Sequence, residues 1–198
     1  MAIRWHPEET IAALASAPGA GARGIVRLSG PRVVEVLRAL FHQSRGGNPW
    51  ASEDRPTSAA VWECRLDVTG FSHPVPLSIY LWPGKQSYTG QPLAELHAPG
   101  CPPLLEAILA DCFQQDVRPA EPGEFTLRAF LAGRLDLVQA EAVLGAIDAD
   151  TQTELQAALT QLAGGVSSEI GRLRHDLLDL LADLEAGLDF ADEDIAFV

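Results

Sequence analysis

A change of hydrophobic rhythm near residue 120 is the strongest constraint on how this chain folds. Before it, apolar runs are short and broken by Gly- and Pro-rich turns. From Pro122 onward no stretch has strand character, and apolar residues recur at helical spacing. Charge changes at the same place. Residues 1–118 carry 10 basic and 11 acidic side chains, whereas residues 119–198 carry 4 basic and 16 acidic. Stretches so different are expected to form two domains, an α+β domain over 1–119 and a helical one over 120–198. The acidic helical part would repel a phosphate backbone. Contact with nucleic acid would then fall to a local basic patch, another part of a larger protein, or a partner.

In the first part, Thr10–Ser16 reads as a strand and Pro18–Gly24 as a turn. Ile25–Leu28 reads as a second strand, with Arg27 set among apolar neighbours. A helix is expected from Ser29-Gly-Pro-Arg to about His42, with Ser29 as its cap and Pro31 in its first turn. It would bury Val33, Val34, Leu37 and Leu40. Residues 44–57 read as a polar surface loop. Ala59–Val68 and Val75–Trp82 have strand character around a hairpin-like turn. The Gly/Pro-rich stretch after Trp82 reads as a loop. Pro102–Phe113 reads as a helix with Leu104, Leu105, Ile108 and Leu109 on its apolar side.

In the second part, apolar residues from Val143 to Leu162 suit one long helix, interrupted at Gly164-Gly165. Leu173, Leu177, Leu180, Leu181, Leu184 and Leu188 then form a stripe opposite His175, Asp176, Asp179 and Asp183. Antiparallel long helices in an incomplete bundle are expected, with no obvious third long helix to close it.

Several function classes are excluded or weakened by composition. At 47% hydrophobic the chain is too apolar for a disordered polymer. No apolar run is long enough to span a membrane, and the first ten residues do not read as a secretory signal. Cys64, Cys101 and Cys112 lack metal spacing and read as reduced thiols, as in a cytoplasmic protein. Lys85 is the only lysine, and Gln86 follows it. The phosphate-binding loop of GTPases needs Lys followed by Ser or Thr, so it is not in this stretch. Gly19, Gly21 and Gly24 have the letters of a dinucleotide fingerprint. A strand rather than a helix is expected to follow, so the match reads as accidental. His97 lies near Glu95 but lacks other ligands at metal spacing, so it reads as a packed or surface histidine. The acids of the final ten residues lack the spacing of a calcium loop.

Four stretches carry a family resemblance. TIAALASAPGAGARGIVRLSGP and SYTGQPLAELH are similar to two segments of the MnmE/TrmE family of tRNA-modifying GTPases. PGEFTLRAFLAGRLDLVQAEAVLGAIDA resembles that family's PGEFT-x-RAFLNGK segment almost residue for residue, and LEAGLDFADEDI resembles a later one. The resemblance implies a folate-binding, dimerising first domain and the opening of a helical domain. It implies 5-formyl-tetrahydrofolate as the ligand. In the family, GTP, potassium and magnesium belong to a GTPase domain missing from this stretch. The family works with MnmG, a flavin protein, on the wobble uridine of certain tRNAs. That implies contact with tRNA only indirectly, and none with a membrane. The other function compatible with these residues is a degenerate scaffold or regulatory protein without folate.

Three site residues follow from the resemblance. Glu95 matches the folate-contacting Glu; a carboxylate can accept the pterin N3–H and exocyclic amine together. Alone, it would equally suit a surface or capping carboxylate. Arg27, if it shares a face with Ile25, needs an anion, supplied either by folate or by an internal acid such as Glu95. Arg134 matches a Lys or Arg that contacts folate, while its position after Gly133 also suits a cation at a helix C-terminus. No catalytic residue is expected. Gln91 and Pro92 stand in place of the family's Glu-Asp, and Pro99-Gly100-Cys101 in place of His-Gly-Gly. The prolines are expected to restrict the backbone beside the site.

Overall fold

A computed structural model describes residues 8–42 and 56–189. Most of the 44–57 loop and the acids after Asp189 lie outside them. Six strands, β1 (Ile11–Leu14), β2 (Gly21–Ser29), β3 (Ala60–Leu66), β4 (Val75–Trp82), β5 (Leu93–Gly100) and β6 (Arg118–Pro119), form one sheet. Its order is β3-β4-β5-β2-β1-β6. Only β1 and β6 pair in parallel; the other neighbours are antiparallel. The α+β class expected from the sequence is the one observed.

Strand alternation gives the sheet two unlike faces. Val26 and Leu28 of β2, Ala94, Leu96 and Ala98 of β5, and Ile79 and Leu81 of β4 turn to one side and are buried. Helices α1 (Val33–His42) and α2 (Pro102–Phe113) supply the matching apolar surfaces, including Leu37, Phe41, Leu105 and Ile108. Each such side chain contributes roughly 1.5–3 kcal/mol by leaving water. α1 buries Val36 and Phe41 in place of the expected Val34 and Leu40, which are only partly buried. Ser29 does not cap this helix: it ends β2, and the Arg32 N–H instead donates to Thr10 Oγ1 at 3.1 Å. Gly30 makes that turn possible. Its φ is +142°, and a Cβ there would lie 2.5 Å from Thr10 Cα.

The first compact unit runs to Arg134, and the second from Leu135 to Val198. The expected boundary at 119/120 therefore falls too early. Helix α3 (Glu124–Leu131) belongs to the first unit because its charged side chains, Glu124 and Arg128, are buried there against β2 and β6. In the second unit the single long helix expected before Gly164 is two, α4 (Leu137–Ile147) and α5 (Gln152–Leu162). A capping box at Thr151 explains the break. Its hydroxyl accepts from the Glu154 N–H, and the Glu154 carboxylate accepts from the Thr151 N–H. Gly164, at φ +95°, separates α5 from α6 (Gly165–Asp189) as expected. The leucine stripe of α6 is exposed. Among the described residues no helix is long and apolar enough to cross a membrane.

Candidate functional site

The second face of the sheet carries charge. Sheet register sets Arg27 of β2 opposite Glu95 of β5, and Glu95 opposite Tyr80 of β4. One step along, His97 lies opposite Ser78, which lies opposite Glu63. By alternation these residues share the face opposite the core. The Arg27 guanidinium donates to Glu95 Oε1 from Nε at 2.9 Å and from Nη2 at 2.8 Å. His97 Nε2 bonds Glu95 Oε2 at 2.9 Å. A carboxylate only accepts, so this nitrogen carries the proton. The imidazole packs on Tyr80, with ring centroids 4.5 Å apart, and its Nδ1 is buried without a hydrogen-bond partner. Arg27 lies near two aromatic rings, Tyr88 at 5.9 Å and Phe125 at 5.7 Å. The Arg27, Glu95 and His97 side chains are 28%, 16% and 13% exposed, so the cluster is largely desolvated yet reachable.

Two of the three expected site residues therefore meet. The internal pairing of Arg27 with Glu95 is present, and it leaves capacity for a ligand. An ionised carboxylate offers about four acceptor positions. Arg27 takes two on Oε1 and His97 one on Oε2. A ligand edge with two parallel N–H groups needs one position on each oxygen. It would use the free one on Oε2 and exchange with one Arg27 donor on Oε1.

Arg134 is placed apart from that pair. Gly133, at φ +67°, ends α3, and the Arg134 N–H donates back to the Ala129 carbonyl at 2.8 Å. The Arg134 guanidinium donates to the Lys85 carbonyl. Arg134 is thus the cation beyond a helix C-terminus that its sequence position allows, and it also ties α3 to the segment after β4. No hydrogen bond or ion pair joins it to Arg27 or Glu95 among the described residues.

A buried ionic network fixes the flanking elements. Arg128 donates to the Ser29 carbonyl at 3.1 Å, to Gln91 Oε1 at 2.9 Å and to Glu124 Oε1 at 3.1 Å. Arg118 forks onto both Glu124 oxygens, at 2.7 and 3.0 Å, and reaches Glu9 at 2.6 Å. Burial opposes the Glu124 charge. The bonds from Arg118, the Glu121 N–H and Arg128 outweigh it and hold the carboxyl below its usual range. This network places Phe125 beside Arg27. Tyr88, on the other flank, bonds Thr126 of α3 at 3.2 Å.

The four departures from the family pattern are accommodated. Gln91 keeps an acceptor for Arg128. Pro92 offers its carbonyl to the Gly30 N–H at 2.9 Å. Pro99 is exposed at the β2–β5 register shift, where a strand tolerates a residue without an N–H. Cys101 is exposed at the start of α2. His97 is a packed histidine, one of the two readings expected for it, and its bond to Glu95 was not foreseen although a spacing of two puts both on one strand face. Sequence reasoning missed Arg128 because two of its partners, Ser29 and Gln91, come from distant segments, and it missed Glu124 although Arg118, Glu121 and Arg128 all lie within six residues of it. No group of three or more metal-ligating side chains is present among the described residues.

Residues 10–134 match the family described as GTP-binding protein TrmE N-terminus, and residues 137–198 match the MnmE helical domain. The chain is 46% identical over 195 residues to the tRNA modification GTPase MnmE of Rhodopirellula baltica, covering 96% of this chain and 40% of that protein. It is 39% identical to the protein of that name from Akkermansia muciniphila, covering 96% of this chain and 41% of the relative. For that of Myxococcus xanthus the identity is 44%, over 93% of this chain and 40% of the relative. The chain thus spans about two fifths of the length of these relatives. Matched over nearly its whole described length, it belongs to the MnmE family of tRNA modification proteins.

Proposed function

We propose that the first unit binds a reduced folate, 5-formyl-tetrahydrofolate, as part of a tRNA-modifying GTPase of the MnmE type. One observation carries this reading: a half-buried carboxylate, Glu95, held between Arg27 and His97 on the open sheet face. The pterin N3–H and exocyclic amine are the two parallel donors that such a carboxylate recognises. Arg27 would turn part of its donor set to the neighbouring pterin carbonyl. Tyr88 and Phe125 would bound the ligand with aromatic surface. When bound, the folate supplies the one-carbon unit. This chain's residues bind and orient it. The reading includes a homodimer through the first unit, an MnmG-type flavin protein as partner, and C5 of the tRNA wobble uridine as the position modified. GTP, potassium and magnesium would be handled by a GTPase domain outside this stretch.

The test is calorimetric titration of the 198-residue chain with 5-formyl-tetrahydrofolate. Saturable heat is expected, with at least about tenfold weaker binding in Glu95→Ala, because charge-assisted bonds are worth roughly 1.5–3 kcal/mol each. No heat with the wild type, or equal affinity in the variant, overturns the reading and leaves the scaffold alternative.

A further inference from the structure

Arg27 and Glu95 are not joined in the way an arginine and a carboxylate frequently join. The strong form of that pair is a fork, in which two parallel N–H groups each meet one carboxylate oxygen. Here Arg27 Nε and Nη2 both approach Oε1, at 2.9 and 2.8 Å. Oε2 is held instead by His97 Nε2, at 2.9 Å.

The surroundings of His97 equip it for that task. Its side chain is 13% exposed, and its ring packs on Tyr80 with centroids 4.5 Å apart. Ser78 lies opposite His97 in the sheet, but its hydroxyl donates to Glu63 at 3.0 Å. His97 Nδ1 is buried and has no hydrogen-bond partner. A proton on Nδ1 would meet no acceptor, whereas a proton on Nε2 meets Glu95. Of the two neutral tautomers, the site therefore selects the one that donates to Oε2.

We infer that His97 is a positioning residue for folate binding: by holding Oε2 it stops Glu95 from closing a fork onto Arg27, and so keeps both groups open to the pterin edge. The inference rests on the folate reading above and adds a residue that acts on the ligand only through Glu95. Without the Nε2–H, the carboxylate is free to rotate and bring Oε2 onto Arg27. Each group then satisfies the other. A pterin must break that fork before its N3–H and amine find an acceptor and its carbonyl finds a donor.

The experiment titrates 5-formyl-tetrahydrofolate by calorimetry into the 198-residue chain and into His97→Phe, His97→Leu and His97→Gln, each checked for folding by circular dichroism. His97→Phe keeps an aromatic ring for Tyr80 and loses the donor. His97→Leu loses both. His97→Gln keeps an N–H that can reach the place of Nε2. His97→Phe and His97→Leu are expected to bind roughly tenfold more weakly, as for the loss of one hydrogen bond to a charged group. His97→Gln is expected to recover most of that affinity. A role in packing alone gives the opposite order, with His97→Phe nearest the wild type. Either folded variant without the donor suffices for the comparison. Wild-type affinity in such a variant, or His97→Gln binding no more tightly than it, overturns the positioning role and leaves the Glu95 site standing. No binding by the wild type overturns the folate reading and this inference with it.

Discussion

Arg128→Ala is the most informative perturbation of the scaffold. The residue is 1% exposed, and its bonds join three separate segments: Ser29 at the end of β2, Gln91 before β5, and Glu124 one turn back on α3. Removing it strips one cation from a fully buried carboxylate and takes a donor from the buried Ser29 carbonyl and from the half-buried Gln91 amide oxygen. Losing one partner of a buried pair costs about 3–5 kcal/mol, against a total stability of about 5–15 kcal/mol for a domain. Arg118 still forks onto Glu124, which places the expectation at the lower end, about 3 kcal/mol. All four tryptophans lie before residue 83, so their fluorescence during urea unfolding reports the first unit. Glu124→Gln, Arg128→Met and the double variant complete a thermodynamic cycle, in which a coupling of about 1–3 kcal/mol is expected. The folded carboxyl of Glu124 lies below its unfolded value. Its stabilisation is thus complete above the unfolded pKa of about 4.3 and is lost as pH falls through the lower folded value. Glu124→Gln should flatten that acid limb and leave the neutral-pH slope unchanged. A loss under about 1 kcal/mol in Arg128→Ala, with no coupling in the cycle, would refute the claim that this network holds α3 in place.

Two further outcomes follow from single residues. Gly90→Ala combines a left-handed φ of +70° with a 2.5 Å approach to Ala132, so it should cost about 2 kcal/mol or more and lower Tm by several degrees; an unchanged Tm counts against the close packing. Burial, with Glu63 and Asp111 adding to it, pushes the Cys64 and Cys112 thiols up to about 12, whereas Cys101 is exposed. A thiol reagent at pH 8 should therefore label one cysteine rapidly in the native chain and all three after unfolding. Rapid native labelling of Cys112 would contradict its place in the core.

The α+β class, the bounds of α2 and the β3–β4 hairpin were legible because each depends on local period and turn chemistry. So was the stop at Gly133, since a left-handed residue after a helix favours glycine. The break between α4 and α5 was written at Thr151 and Glu154 but overlooked, because the apolar spacing continues across it. β5 and β6 had no local signal distinct from their surroundings. Pairing partners far along the chain define both.

The sequence by itself determined which residue types are available: a carboxylate at 95, a guanidinium at 27, and a single lysine at 85. It also set the family, through motifs that span most of the chain. Only the tertiary structure decided that Arg27 and His97 hold opposite oxygens of Glu95, that Arg134 joins Lys85 instead, and that α3 belongs to the first unit. The reason is physical. Strand register and the bonds of buried Arg128 to Ser29 and Gln91 bring together groups tens of residues apart, and local propensity carries no information about such pairings.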